Sequence, residues 1–86
     1  MMKESVIINM NRGLEARPAA MLVQVANRYD SRLYIETENK KVNLKSIMGV
    51  MSLGLDNGEE VVIQADGGDE AQAILGVGAF LQGKEN

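Results

Sequence analysis

The residues of this 86-residue chain that could do chemistry lie in two short segments. The first reads Gly-Leu-Glu-Ala-Arg-Pro-Ala-Ala over residues 13–20. Pro18 indicates that a helix begins here, because proline is tolerated in the first helical turn. The first N–H groups of a helix lack intrahelical partners and carry a partial positive charge. This position therefore favours an anion, and Glu15 places a carboxylate beside it.

Glu15 and Arg17 leave several roles open. The Glu15 carboxylate, ionised at neutral pH, can simply complement the helix end, or it can offer a partner a fixed negative charge. It can also accept a phosphoryl group as an acyl phosphate, although it lacks the reversible transfer chemistry of an imidazole. Arg17 is unfavourably placed for the helix dipole, and a surface salt bridge to Glu15 would stabilise the fold little. This favours a contact of Arg17 with a partner or a phosphate.

The second segment reads Lys-Ser-Ile-Met-Gly-Val-Met-Ser-Leu-Gly over residues 45–54. Ser46 precedes a short apolar stretch that predicts a helix over 47–53, and serine is a preferred residue directly before a helix. Gly54 is placed to end that helix. Judged from these residues alone, Ser46 is most simply a helix cap.

Apolar side chains follow both predicted helices. Val50 and Leu53 are expected in the core. Met48 and Met51 fit either the core or an exposed contact surface, because methionine makes adaptable contacts. The possible contact residues are Ile47, Met48 and Met51 on the second predicted helix and Ala20, Met21 and Gln24 on the first.

The composition excludes several kinds of site. The chain has no histidine and no cysteine, so a thiolate nucleophile, a Cys/His zinc site, a disulfide and histidine acid–base catalysis are ruled out. The net charge of −3 argues against direct contact with nucleic acid, which needs a basic patch. Apolar runs are too short to span a membrane, and no secretory signal is visible. We therefore expect a cytoplasmic protein without metal or cofactor.

Periodicity predicts the elements that position the two segments. Alternating apolar residues indicate strands over 6–10, 32–36, 41–43 and 61–66. Helices are predicted over 16–27, over 47–53 and from Asp69 to Leu81, with Asp69 and Gln72 resembling a capping box. Gly76 and Gly78 each weaken the last helix by about 1 kcal/mol relative to alanine. The order β-α-β-β-α-β-α predicts one α+β domain over residues 1–86, an open-faced sandwich with three helices covering one face of a four-stranded antiparallel sheet.

Both segments resemble those of HPr, the phosphocarrier of the bacterial sugar phosphotransferase system. The resemblance covers the whole chain, because the length, the element order and both segments fit in register. In HPr the first segment carries a histidine that accepts and passes on a phosphoryl group. Here Glu15 occupies the position of that phosphohistidine. The resemblance therefore points to the Crh branch (catabolite repression HPr), which keeps the serine and lacks the histidine. Crh proteins usually carry glutamine at this position, so Glu15 is a departure.

The resemblance implies a regulatory protein and not an enzyme. Ser46 would be phosphorylated by HPr kinase/phosphorylase, and the product would bind a LacI-type catabolite control repressor as corepressor in carbon catabolite repression. The expected partner-binding residues are Arg17, Ala20, Met21, Gln24, Ile47, Met48 and Met51.

Two other functions stay open from the sequence. The chain could be a phosphocarrier-like component that uses Glu15, or an HPr-fold binding module that regulates another enzyme without serine phosphorylation. The assembly is either a monomer or a strand-exchanged dimer, in which the first strand crosses to a partner through the break at residues 11–13.

Overall fold

The seven predicted elements are present in the predicted order. The computed structural model describes residues 1–10 and 16–84. Its elements are β1 (Met2–Ile7), α1 (Ala16–Ala26), β2 (Arg32–Glu36), β3 (Lys41–Asn43), α2 (Ile47–Met51), β4 (Glu60–Asp66) and α3 (Glu70–Leu81). None of the helices in this part of the chain is long and apolar enough to cross a membrane.

The strands form one antiparallel sheet in the order β1-β4-β2-β3. β1 lies along β4 in a register that runs from Met2 opposite Ala65 to Ile7 opposite Glu60. β4 also pairs with β2, which in turn pairs with β3. The last strand in the sequence is therefore central, and the first strand is at an edge.

The core lies between one face of the sheet and the helices. Its strand residues are Val6, Leu33, Ile35, Val61, Ile63 and Ala65, and its helix residues are Ala19, Leu22, Val23, Val25, Ala26, Val50, Ala73, Ile74, Val77 and Leu81. All of these side chains are aliphatic, while Tyr29 and Phe80 pack against the cluster from its margin. α1 packs against both α2 and α3. The predicted open-faced α+β sandwich is confirmed.

The opposite face of the sheet carries polar side chains, with one of them buried. The amines of Lys3 and Lys41 lie 3.6 and 3.8 Å from a carboxylate oxygen of Glu36. The Lys41 amine also lies 4.8 Å from the centre of the Tyr34 ring. Gln64 is only 5% exposed, because it is flanked in the sheet by Lys3 and Tyr34. This face is therefore solvated mainly at its edge strands, where Lys3 and Lys41 are exposed.

The predicted bounds of β1 are wrong, since the strand spans Met2–Ile7 and not residues 6–10. The alternating burial is real, since Val6 and Ile8 are buried and Ile7 is exposed, but the ladder ends at Ile7. Beyond it the backbone N–H groups of residues 8–10 bond to two other segments: the turn before β4, at Glu59 O and Asn57 Oδ1, and the end of α3, at Leu81 O. The first half of the strand was not predicted from the sequence because its residues do not alternate in burial. Glu4, for example, pairs with Ile63 but is exposed at the sheet edge.

The capping box predicted at the start of α3 is also wrong. The Asp69 carboxylate does not bond to its own helix. It accepts the N–H of Asp30 at 2.8 Å, the N–H of Ser31 at 3.0 Å and the Ser31 hydroxyl. The turn before α3 is instead closed by Glu70, whose carboxylate accepts the N–H of Gly67 at 3.1 Å.

The ends of the first two helices differ slightly from prediction. α1 ends at Ala26 and not at residue 27, and α2 ends at Met51 and not at residue 53. Gly54 follows with φ +59°, the left-handed conformation that favours glycine. Its predicted role in ending the helical segment agrees with this conformation.

Candidate functional site

Ser46 is the residue before α2, and its side chain caps that helix. Its backbone is extended, with φ −114° and ψ 113°. The hydroxyl oxygen accepts the N–H of Gly49 at 3.1 Å, and the carbonyl accepts the N–H of Val50 at 3.0 Å. The serine is half-buried. The predicted cap is confirmed, and it holds the hydroxyl against the first turn of α2.

Two residues near Ser46, Lys45 and Gly49, shape the surroundings of its hydroxyl. The amine of the neighbouring Lys45 donates to the Tyr29 carbonyl at 2.7 Å, just beyond the end of α1. A Cβ atom at Gly49 would lie 3.3 Å from the Ser46 hydroxyl oxygen. The glycine therefore allows the hydroxyl to approach the helix closely. The sequence offered no signal for the bond between Lys45 and Tyr29, because it joins residues distant in the chain.

The partner-binding residues predicted from the sequence lie on α1 and α2, and these two helices pack against each other. We call them the α1–α2 surface: Arg17, Ala20, Met21 and Gln24 of α1, with Ile47, Met48 and Met51 of α2. Met48 is 79% exposed, and Met21, Ile47 and Met51 are 41–49% exposed. Large apolar side chains elsewhere in the described residues are mostly buried in the core. Such a concentration of exposed apolar groups is typical of an interaction site.

The structure separates the core residues of α2 from its exposed ones. Val50 is fully buried, and Leu53, just after the helix, is half-buried against the core. Met48 and Met51 point outward, which decides between the two locations that the sequence allowed. The contact role of these methionines stays a prediction.

The first segment is only partly described. Glu15 lies outside the described residues, so its expected position beside the start of α1 stays a prediction. Arg17 is the second residue of α1 and is exposed. No acidic residue stands in the first turn of α1. Among residues 1–10 and 16–84, no three carboxylate side chains are grouped so that they could hold a metal ion.

Comparison with known proteins gives one consistent family. The family model described as "PTS HPr component phosphorylation site" matches residues 2–83. The HPr-like protein Crh of Bacillus subtilis is 46% identical over 82 residues, which cover 95% of this chain and 96% of that protein.

Solved structures agree with the fold described above. The crystal structure of HPr-C-His from Thermoanaerobacter tengcongensis superposes with a TM-score of 0.90 at 44% identity, covering 98% of this chain and 94% of that one. A crystal structure of Crh from Bacillus subtilis, described as a swapped dimer, gives a TM-score of 0.81 at 44% identity, covering 100% and 99%.

Proposed function

This chain belongs to the PTS-HPr family, and from that premise we propose that it is a Crh-type regulatory protein and not an enzyme. It acts in the cytoplasm as a single domain over residues 1–86. HPr kinase/phosphorylase phosphorylates Ser46, and the phosphorylated protein binds a LacI-type catabolite control repressor as corepressor. The similarity to Crh along nearly the full length supports this choice within the family.

The observation that carries the proposal is the position of Ser46 at the edge of an exposed apolar surface. A phosphoserine carries about −1.5 to −2 charges at neutral pH. At Ser46 this charge stands at the N-terminal end of α2, where the helix dipole favours an anion. The bond to Gly49 already directs the oxygen toward these N–H groups. Phosphorylation therefore changes the surface while the fold stays the same.

The chemistry of the partner follows from this surface. It needs an apolar groove for Met21, Ile47, Met48 and Met51, with an arginine or lysine beside the phosphate. Charge-assisted hydrogen bonds to the phosphate are stronger than neutral ones. A gain of about 2–3 kcal/mol on phosphorylation amounts to roughly 30- to 150-fold in affinity, which is enough for a switch.

Glu15 takes no part in phosphoryl transfer in this proposal. The sequence contains no histidine, so no imidazole is present to carry a phosphoryl group from enzyme I. Glu15 instead offers the partner a fixed negative charge where a phosphocarrier has its phosphohistidine. The protein itself contacts neither nucleic acid nor membrane, which agrees with its net charge of −3. It is a monomer or a strand-exchanged dimer.

The first test is phosphorylation by HPr kinase/phosphorylase and ATP, followed by intact mass measurement. Wild-type protein should gain one phosphoryl group, and Ser46→Ala should gain none. Ser52→Ala is the matched control, because Ser52 is an exposed serine of the same segment whose hydroxyl donates to the Gly49 carbonyl at 2.6 Å. It should be phosphorylated like wild type. Phosphate on the Ser46→Ala variant would contradict the assignment of the site.

The second test is calorimetric titration of both forms of the protein into the catabolite control repressor at fixed salt. The phosphorylated form should bind roughly 30- to 150-fold more tightly than the unphosphorylated form. Equal affinities of the two forms would reject the corepressor function. They would favour the binding module that regulates another enzyme.

A further inference from the structure

We propose that Met48 is a site of reversible oxidation, at which a peroxide converts the thioether to a sulfoxide and thereby blocks docking on the α1–α2 surface. The formation of the sulfoxide follows from the chain's own exposure pattern. Its effect on docking rests on the proposed function of that surface.

Methionine is the main side chain of this protein that can be oxidised. The sequence contains six methionines and no cysteine, so a peroxide meets no thiolate. Three of the methionines, at positions 21, 48 and 51, belong to the α1–α2 surface. Met48 is 79% exposed, whereas Met10 is half-buried against the core. Because oxidation follows exposure, Met48 reacts ahead of Met10, Met21 and Met51.

The fold does not depend on the Met48 side chain. α2 is anchored by Val50, which is fully buried, and by the cap at Ser46. Met48 itself contributes a backbone carbonyl, which accepts the N–H of Ser52 at 3.0 Å. An oxygen added to its sulfur enters solvent and displaces no core atom. Oxidation at this position therefore leaves a folded protein with a changed surface.

The reaction balances with hydrogen peroxide as the oxidant. A sulfur lone pair attacks one peroxide oxygen, an S–O bond forms and the O–O bond breaks. The other oxygen leaves as water with both protons. The sulfur is oxidised by two electrons, and the peroxide is reduced by two. Methionine sulfoxide reductases reverse the change, so the modification can act as a switch.

The sulfoxide alters the part of the surface that a partner must cover. Its oxygen is a hydrogen-bond acceptor placed in an apolar contact, and burying such a group without a donor is unfavourable. Met48 is exposed and lies two residues after Ser46 in the first turn of α2, so we expect the kinase that reaches the serine hydroxyl to contact this side chain as well. Docking of the kinase on the oxidised protein should weaken at least tenfold.

The first part of the test maps oxidation on the folded protein at a limited dose of hydrogen peroxide. Peptide mass mapping should find sulfoxide at Met48 before Met10, with an unchanged thermal unfolding transition. Met1, which is 69% exposed, reports that the peroxide dose was effective. Oxidation of Met10 as fast as Met48, or unfolding that accompanies Met48 oxidation, would overturn the proposal.

The second part measures the rate of Ser46 phosphorylation by HPr kinase/phosphorylase. The rate should fall at least tenfold after the peroxide dose and return after treatment with methionine sulfoxide reductases. Met48→Leu serves as its own reference, and its rate of phosphorylation should be the same before and after the peroxide dose. An unchanged rate on protein oxidised at Met48, or equal loss in the variant, would reject the switch.

Failure of the proposed function gives a different result. Wild-type protein that has never met peroxide would then not be phosphorylated at all. In that case the peptide map and the recovery by the reductases decide whether Met48 is a modification site.

Discussion

Ser46 and Asp69 both stand directly before a helix, yet their side chains make different bonds. Ser46 has the extended backbone of a residue that caps a helix, and its oxygen accepts an N–H of its own helix. Asp69 has φ −105° and ψ 26°, which directs its carboxylate away from α3 toward Asp30 and Ser31. Ser46 therefore caps the start of α2. Asp69 instead links the connection between β4 and α3 to the connection between α1 and β2.

The carboxylate of Asp69 makes the stability of the protein depend on acid. The hydroxyl of Ser31 and the N–H of Asp30 hold the pKa of Asp69 below its ordinary value. Because the folded pKa is depressed, this stabilisation is complete above the unfolded pKa of about 3.9 and is lost as pH falls through the lower folded pKa. Asp69→Asn should lower the free energy of unfolding at neutral pH and flatten its fall below about pH 4.

Urea unfolding at a series of pH values measures this effect. Asp56→Asn is the control, because Asp56 is exposed in the turn before β4, and it should follow the wild-type curve. Part of the acid dependence should remain in Asp69→Asn, since the N–H of Gly67 and the N-terminal amine also lower the pKa of Glu70. Parallel curves for Asp69→Asn and wild type would show that the bonds to Ser31 and Asp30 contribute nothing to the dependence of stability on pH.

A second prediction at this scale concerns phosphoryl transfer. The wild-type protein should remain unphosphorylated with enzyme I and phosphoenolpyruvate, because it has no histidine. Glu15→His should accept a phosphoryl group, since Arg17 and Pro18 of the HPr-like segment are retained. Intact mass measurement distinguishes the outcomes. A phosphorylated wild-type protein would show that Glu15 is an acceptor, and a folded but inert variant would show that the docking surface has diverged from HPr.

At the scale of elements, the two glycines of α3 occupy different environments. A Cβ atom at Gly76 would lie 2.0 Å from the Tyr29 hydroxyl and 2.8 Å from its ring. A Cβ atom at Gly78 would lie 3.7 Å from Val6 and 3.9 Å from Ile63, which is ordinary contact. The cost of glycine in a helix is the same at both positions, but only Gly76 is required by packing.

The two alanine substitutions should therefore change stability in opposite directions. Gly78→Ala should raise the free energy of unfolding by up to about 1 kcal/mol, because alanine favours the helix and has room. Gly76→Ala should lower the free energy of unfolding, because the Tyr29 ring must move. Chemical denaturation of both variants provides the measurement. A gain in stability at Gly76 would mean that Tyr29 moves aside at little cost.

Local pattern was enough to predict most elements but not their long-range contacts. Alternation over 32–36 and 61–66 and helical spacing over 16–27 are visible because one side of each element is buried. β1 was misplaced because its first four residues are all exposed, so that burial does not alternate there. The contact of Tyr29 with Gly76, like that of Ser31 with Asp69, joins distant residues and leaves no periodic signal.

The candidate site was predictable to a similar degree. The cap at Ser46 followed from residue type and position. The exposure of Met48 and Met51 did not, because α2 has only five residues and its apolar stretch has no clear polar side. Whether such methionines face the core depends on how α2 packs against α1 and β3. That packing is set by the whole fold.

For the whole molecule, the pairing of β1 with β4 allows a direct test of strand exchange. The chain has no cysteine, so a disulfide can be introduced between Ser5→Cys and Val62→Cys, which face each other across these strands. In a monomer fraction from gel filtration this bond should form within one chain. In a dimer fraction it should join two chains, since an exchanged β1 keeps its pairing with the partner's β4.

Denaturing electrophoresis without reductant distinguishes the two linkages. The single variants Ser5→Cys and Val62→Cys are the controls, because neither can form this bond. A dimer fraction that separates into single oxidised chains would mean that the dimer forms by surface contact and that each β1 stays with its own β4.

The same pairing has a consequence for the protein while it is being made. β1 leaves the ribosome before the other strands, but its neighbour β4 follows more than fifty residues later. At about 5–20 residues per second, β1 waits roughly 3–10 s without a partner. Val6 and Ile8 have no core to enter during that time. Chains growing side by side on one messenger RNA are therefore close together at the stage when each first strand is free to join the wrong sheet.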